Sequence, residues 1–198
     1  MQTLADKYYS FTGAVCNSVK HLDGLPPLLF RVLLFFPFWE AGTRKFANFE
    51  ETSNWFGNSE WGLGLPFPDL MTFLAASAET VGAVLLLIGF AVRWAAIPLI
   101  ITMLVAIFAV HWDNGWFAIA QSTDPEISER LSRARTILQN NGDYSWLTEK
   151  GNIVILQNGI EFAATYFIML LSLFFTGAGR YFSADYWLSK AFPHKKPE

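Results

Sequence analysis

Hydrophobic runs of bilayer length recur along the chain, and polar stretches or clusters of glycine and proline separate them. A helix needs about 20 mainly apolar residues to cross the hydrocarbon core of a bilayer. The pattern predicts four such helices, at about residues 27–46, 68–90, 94–112 and 152–176. The predicted fold class is therefore an all-α membrane protein, a four-transmembrane-helix bundle whose membrane domain covers residues 26–176.

Two other segments have helical periodicity but too few apolar residues to cross a membrane. In residues 1–25, apolar side chains recur at steps of three and four, which predicts an amphipathic helix on the membrane surface. Packing of this helix on the end of the bundle is the alternative. In the connection 117–150, Asp124 and Pro125 predict the start of a second amphipathic helix, with a capping carboxylate before a proline at the first helical position.

Composition supports a membrane protein and excludes several classes. The chain is 53% hydrophobic and only 16% charged, whereas soluble domains carry about 25% charged residues. A net charge of -3 without a basic cluster predicts no nucleic-acid partner. Cys16 is the single cysteine, which excludes an internal disulfide, a CxxC redox pair and a cysteine-rich zinc site.

The distribution of basic residues predicts the orientation. With four spans, both termini lie on one side of the membrane, and that side would hold eight of the 14 lysines and arginines. Cytoplasmic segments carry the excess of basic residues in membrane proteins. We therefore expect a multi-pass protein of the bacterial inner membrane with both termini in the cytoplasm, and residues 177–198 as a cytoplasmic tail.

Ionisable residues inside the predicted spans mark the candidate site. Glu79 lies in the apolar segment Met71–Phe90, where a carboxylate costs about 2.5–3.5 kcal/mol on insertion scales. Each of the other spans also contributes one ionisable residue, Glu40, His111 or Glu161, at about 15 Å or less from the outer edge by the helical rise. These residues predict one polar pocket that opens outward.

Two basic residues complete the predicted pocket. Arg44 and Lys45 follow Glu40 in the first span and could neutralise part of the acidic charge. Glu40 and Arg44 are four residues apart, so they share a helix face, which we expect to look into the protein. Simpler roles remain open: helix-packing hydrogen bonds for Glu79 and Glu161, and a local ion pair for Glu40. His111 could likewise be an interfacial residue.

The candidate residues fit several kinds of chemistry. Glu79, His111 and Glu161 could bind a divalent metal, relay protons or hydrogen-bond the head group of a quinone. They suit Cu(I) poorly, because that ion prefers thiolate and thioether ligands. The sequence assigns neither a cofactor nor a catalytic residue, and it contains no redox group of its own.

Five segments of residues 31–185 carry a resemblance to a known family, in the family's order. They are Arg31-Val-Leu-Leu with Glu40-Ala-Gly-Thr-Arg-Lys45; Trp55-Phe56 with Gly64-Leu65-Pro66-Phe67-Pro68; Ala78-Glu79-Thr-Val-Gly82 with Leu-Leu-Leu-Ile-Gly89-Phe-Ala-Val-Arg93; Met103-Leu-Val-Ala-Ile-Phe-Ala-Val-His111; and Thr176-Gly177-Ala-Gly179-Arg180-Tyr-Phe-Ser183-Ala-Asp185. In these segments the chain resembles the DoxX family of membrane proteins. The resemblance implies a four-helix membrane bundle.

The long second connection and the Trp112-Asp113-Asn114-Gly115-Trp116 stretch look closer to the HvfX-like branch of that family. This branch implies an accessory protein of a modified-peptide, copper-homeostasis system. A quinone-linked membrane oxidoreductase subunit is the alternative, and a small metal or metabolite transporter is the second alternative. The partners expected are the lipid bilayer and either a small modified peptide or a membrane redox partner, with a homo-oligomer left open.

Overall fold

A computed structural model describes residues 2–192, and in these residues every regular element is helical. The last six residues of the predicted tail, 193–198, lie outside the described residues. The helices of the described chain are α1 (Gln2–Val19), α2 (Leu25–Ala47), α3 (Phe49–Gly57), α4 (Pro68–Ile88), α5 (Val92–Val105), α6 (Pro125–Asn141), α7 (Tyr144–Thr148), α8 (Glu161–Thr176) and α9 (Ala184–Ala191).

Three helical segments are long and apolar enough to cross a membrane. They are α2, α4 and the 23-residue segment Val92–Asn114, in which α5 continues through a π-helical turn and a 3-10 turn. These three candidate spans lie at the positions of the first three predicted spans. The bounds agree because the length of an apolar run is set by the thickness of the bilayer.

The predicted fourth span is wrong in its first part. Helix α8 begins at Glu161 rather than at residue 152, and its 16 residues extend about 24 Å, short of the hydrocarbon thickness of about 30 Å. Residues 152–160 are non-helical and hydrogen-bond other backbone, as in the bond from Gln157 N to Ala118 O. The β-branched residues in this stretch favour extended backbone, and Asn158 has a φ of 59°, which interrupts a helix.

The described residues divide into two compact units. The first contains residues 2–102 and 168–192, so it holds α1–α4, most of α5, the second half of α8, and α9. The packing of α2 against α4 dominates this unit. The buried face of α2 runs through Arg31, Leu34, Phe38 and Gly42, which recur at steps of three and four.

Helices α2 and α4 approach closely at Gly42. A Cβ atom at this position would lie 2.7 Å from the backbone nitrogen of Thr80 and would also collide with the Thr80 hydroxyl. Small residues permit such approaches between membrane helices, where dispersion contacts replace the hydrophobic effect. On α4, the buried stripe that faces inward includes Thr72, Ala76 and Ala83, which are also small.

The second unit, Met103–Phe167, holds the end of α5, helices α6 and α7, and the beginning of α8. Its backbone is held where residues 115–120 hydrogen-bond residues 155–161, with one bridge between Ile119 and Leu156. Helix α6 begins at Pro125 as predicted, and the side chain of Asp124 accepts a hydrogen bond from Glu126 N.

Candidate functional site

The first unit contains a buried ion pair between α2 and α4. The side chain of Glu79 is only 6% exposed, and Lys45 Nζ donates a hydrogen bond of 2.6 Å to its Oε2. The Lys45 side chain is 24% exposed, so its amine reaches from the end of α2 toward the interior. A charged pair with a short hydrogen bond offsets much of the cost of a carboxylate in an apolar helix.

The helical register explains why Lys45, rather than Arg44, pairs with Glu79. Lys45 follows Gly42 by three residues and so extends the buried face of α2 toward α4. Arg44 lies about 100° further round the helix, on the side of Glu40. The steps of four and then three residues from Phe38 to Gly42 and Lys45 are a signal in the sequence that singles out this lysine.

Glu40 and Arg44 form an ion pair on a neighbouring, exposed face of α2. Their side chains are 69% and 70% exposed, so the prediction that this face looks into the protein is wrong. The physical reason is that water can solvate both charges near the end of the helix. Exposed pairs of this spacing contribute only about 0.3–0.5 kcal/mol.

A groove lies beside these two pairs, and we call it the α2–α3 groove. It has a volume of about 460 Å³ and is lined by Pro37, Glu40, Ala41, Arg44, Lys45, Asn48, Glu51 and Thr52. Six of these eight residues are polar or charged, and both signs of charge are present. Because Lys45 lines the groove and also contacts Glu79, a ligand in the groove would lie next to the buried ion pair.

A larger groove of about 880 Å³ lies on the other side of α3 and shares Asn48 and Glu51 with the first. It is lined by residues of α3, the connection after it and the start of α4. Ser53, which is buried, donates a hydrogen bond to the Asp69 carboxylate at this groove. The Ser53–Asp69 contact joins α3 to the first turn of α4.

Sequence reasoning missed the contribution of α3 to both grooves. The predicted spans leave residues 47–67 as a connection, whereas the structure has a nine-residue helix there, Phe49–Gly57. The available signal was Asn48 followed by Glu50 and Glu51. Asparagine is a preferred residue at a helix N-terminus, and acidic residues in the first turn interact favourably with the helix dipole.

The second unit holds the other two predicted site residues. His111 Nδ1 lies 2.9 Å from the carbonyl oxygen of Asn158. A carbonyl can only accept a hydrogen bond, so Nδ1 carries a proton, and in the neutral form of the ring the lone pair lies on Nε2. Asn114 Nδ2 donates to the same carbonyl oxygen at 3.2 Å. His111 ends a π-helical turn, a feature frequent at functional sites.

Glu161 has a structural contact in this unit. Its Oε2 accepts a hydrogen bond of 3.0 Å from Ala118 N. Glu161 is also the first residue of α8, where a negative charge interacts favourably with the helix dipole. The Glu161 carboxylate therefore joins the start of α8 to the segment that follows the third span.

The structure thus gives the predicted pocket residues different surroundings. Within the first unit it brings Lys45 to Glu79, and Glu40 to Arg44. Convergence of Glu40, Glu79, His111 and Glu161 on one pocket stays a prediction. Among residues 2–192, no group of three or more His, Cys, Asp or Glu side chains is arranged to hold a metal ion.

A second charge in the apolar part of the first unit belongs to Arg31, which is fully buried. Its Nη1 donates to Ala178 O at 2.6 Å, and its Nη2 donates to Phe182 O at 2.8 Å. We call this contact the Arg31 clamp. Sequence reasoning did not include Arg31 among the site residues, although a lone arginine inside an apolar helix requires polar partners.

The segment after α8 is fixed by two more acid contacts. The Asp185 carboxylate accepts hydrogen bonds from Ala91 N and Val92 N at the start of α5, at 2.7 and 3.2 Å. Arg180 pairs with Asp23 in the connection before α2. The hydrogen bond to Asp23 raises the pKa of the Arg180 guanidinium above its ordinary range.

Comparison with known proteins gives one match. Residues 27–112 match the family model described as DoxX. This range covers α2, α3, α4 and the third candidate span up to Trp112, so it includes the Lys45–Glu79 pair and both grooves. No curated protein and no solved structure matches the chain.

Proposed function

Because the chain is a membrane protein with a DoxX family domain at residues 27–112, we propose that it is an inner-membrane accessory protein of a modified-peptide, copper-homeostasis system. In this proposal the α2–α3 groove receives the peptide. The peptide carries the metal, because cysteine thiolates suit Cu(I). The chain supplies the docking site in the membrane.

The polarity of the α2–α3 groove is the observation that carries this proposal. Glu40 and Glu51 offer acceptors, whereas Arg44 and Lys45 offer charged donors along one open surface. A peptide backbone presents one donor and one acceptor at nearly every residue, so it can use both. The volume of about 460 Å³ lies within the usual range of ligand pockets, about 300–1,000 Å³.

The buried ion pair gives the groove a connection to the interior of the domain. Lys45 lines the groove and donates to Glu79 at 2.6 Å, so a peptide carboxylate or carbonyl that contacts Lys45 competes with Glu79. Binding in the groove would then change the contact between α2 and α4. This link makes Lys45 the residue on which peptide affinity should depend most.

Photo-crosslinking in cells tests the proposal. A photoreactive amino acid replaces Ala41, which lines the α2–α3 groove and is half-buried. The same replacement at Thr136, an exposed position of α6, is the matched control. We expect the Ala41 position to capture a small cysteine-containing peptide, and Lys45→Met to reduce the yield. Capture of no peptide at Ala41, or equal capture at Thr136, would count against the proposal.

A quinone-linked membrane oxidoreductase subunit is the second candidate, and the Lys45–Glu79 pair is the observation that favours it. A lysine and a carboxylate in contact at the end of an apolar helix can exchange protons with a bound quinone. Quinone analysis of the purified protein separates the two candidates. Co-purified quinone that Glu79→Gln removes would favour this function, and its absence from both proteins would oppose it.

We also propose that α8 is a fourth crossing helix, which places both termini in the cytoplasm. The support is a pair of contacts at its ends: Glu161 bonds to Ala118, after the third span, and Ala178 bonds to Arg31, at the start of α2. Reporter fusions after residue 142 and after residue 192 test the topology. Opposite compartments for the two fusions support four spans, and the same compartment contradicts them.

A further inference from the structure

Helix α1 and the turn after it carry an apolar stripe that the described residues leave largely exposed. The stripe consists of Tyr8, Phe11, Val15, Val19 and Leu22, at successive steps of three and four residues, and we call it the α1 stripe. These side chains are all between 45% and 70% exposed. Among the side chains described in α1, none is buried, and only Thr12 is half-buried. Among the described residues, none buries a side chain of the α1 stripe.

A helix of 18 residues gains from contacts on its apolar face. Most helices in proteins gain their stability by packing an apolar face rather than from intrinsic helix propensity. The α1 stripe is an apolar face of this kind. The face opposite the stripe contains Asp6, Ser10 and Gly13, which suit contact with water.

The end of α1 is fixed at the start of the first span. After α1, the 3-10 turn Lys20–Leu22 leads to α2, which begins at Leu25. Arg180 pairs with Asp23 and donates to Lys20 O at 2.9 Å, and Tyr181 donates to His21 O. These contacts hold the junction between α1 and α2 against the segment that follows α8.

Exposed aromatic side chains mark the same end of the first unit as a membrane boundary. Trp94 at the start of α5 is 76% exposed, and Phe182 next to the Arg31 clamp is 83% exposed. Trp187 of α9 is 62% exposed, two residues after Asp185, which caps α5. Aromatic rings concentrate at the level of the lipid head groups in membrane proteins. The C-terminal end of α1 therefore lies at this level.

We propose that α1 is an interfacial helix, and that the α1 stripe binds the head-group region of the bilayer that α2 crosses. This proposal concerns a surface separate from the α2–α3 groove and does not depend on the function assigned to that groove. The bilayer is the partner we expect for the α1 stripe, because the stripe lies next to the point where α2 enters the membrane. Burial of an apolar helix face in the interface is the usual arrangement for amphipathic helices that lie on membranes.

The single cysteine makes this proposal testable at defined positions. Cys16 lies in α1 and is exposed, so Cys16→Ser yields a cysteine-free background. Single cysteines are then placed at Phe11 and Val15 on the stripe, with Asp6 and Ser10 as matched controls on the opposite face. Each protein carries a nitroxide label in nanodiscs of phosphatidylethanolamine and phosphatidylglycerol, and collision with oxygen and with a water-soluble nickel chelate is measured.

We expect the ratio of oxygen to nickel accessibility to be high at the stripe positions and low at the controls. When labels are placed at successive positions along α1, the ratio of oxygen to nickel accessibility should vary with a period of about 3.6 residues. Equal nickel accessibility on both faces would overturn the proposal, because α1 would then lie in water. Protection of the stripe from both reagents would also overturn it, because a protein surface, its own or that of a second copy, would then cover the stripe.

A second measurement uses the native cysteine. A polarity-sensitive dye on Cys16 reports the surroundings of α1 in the otherwise unchanged protein. Replacing Phe11 and Val15 together by serine should shift the emission to longer wavelength, since the helix leaves the interface, whereas Ser10→Ala should leave it unchanged. Helical content by circular dichroism confirms that each variant retains its spans. An unchanged emission in the double variant would contradict the proposal.

Discussion

The buried Lys45–Glu79 pair allows a quantitative prediction. Lys45→Met removes the cation and leaves a carboxylate with a 6% exposed side chain in an apolar helix. Breaking a buried pair by removing one partner costs about 3–5 kcal/mol. Each 1.4 kcal/mol changes an equilibrium constant tenfold, so the unfolding constant should rise by roughly two to nearly four decades.

Arg44→Met is the matched control, because it removes a neighbouring cation from an exposed ion pair. Its side chain is 70% exposed, and pairs of this kind contribute about 0.3–0.5 kcal/mol. Reversible unfolding in mixed micelles of dodecyl maltoside and dodecyl sulfate measures the free energy of unfolding of both variants. Equal effects of the two substitutions would refute the reasoning, since burial is what distinguishes Lys45 from Arg44.

A double variant distinguishes the loss of the whole ion pair from the cost of leaving one of its charges buried without a partner. Lys45→Met combined with Glu79→Leu removes both charges and retains apolar volume. Replacing a buried pair by apolar residues is often neutral, or stabilising by about 1–4 kcal/mol. The double variant should therefore be more stable than Lys45→Met alone. A double variant that is less stable than Lys45→Met would show that the carboxylate has another essential partner.

Three further predictions follow from the described contacts. Arg31→Met should lower the free energy of unfolding by about 2–4 kcal/mol, because two short hydrogen bonds to carbonyls are lost. Limited proteolysis should also cleave residues 183–192 faster in this variant. An unchanged cleavage rate would contradict the Arg31 clamp. Gly42→Ala should destabilise by about 1–3 kcal/mol in the same micelle assay, since its Cβ meets the rigid backbone of Thr80. Nitrogen-15 NMR should find the neutral His111 ring protonated on Nδ1, and an Nε2–H form would refute the assigned tautomer.

The sequence predicts helices well where one physical requirement sets their length. The first three spans follow from apolar runs matched to the bilayer. The helix predicted for the residues before Glu161 is absent because their backbone hydrogen-bonds residues 115–120, which lie far away in the sequence. Their apolar character was visible in the sequence, but hydropathy alone does not distinguish a helix from an extended segment.

The candidate site was also predictable from the sequence only in part. Glu79 was identifiable from the sequence because a carboxylate in an apolar run requires a partner. The choice between Arg44 and Lys45 depended on which face of α2 contacts α4, and the step from Gly42 to Lys45 indicates that face. The α2–α3 groove depended on α3, whose N-cap is Asn48. This helix lies in the connection between the first two predicted spans, for which no helix was predicted.

The Arg31 clamp also constrains the order of events on the ribosome. Arg31 enters the membrane with the first span, but its partner Ala178 lies 147 residues later in the chain. At synthesis rates of about 5–20 residues per second, the arginine waits roughly 7–30 s for the carbonyls that satisfy it. During this interval the Arg31 guanidinium lacks its two shortest hydrogen bonds, to Ala178 O and Phe182 O, so a chain that ends before these residues would lack the clamp.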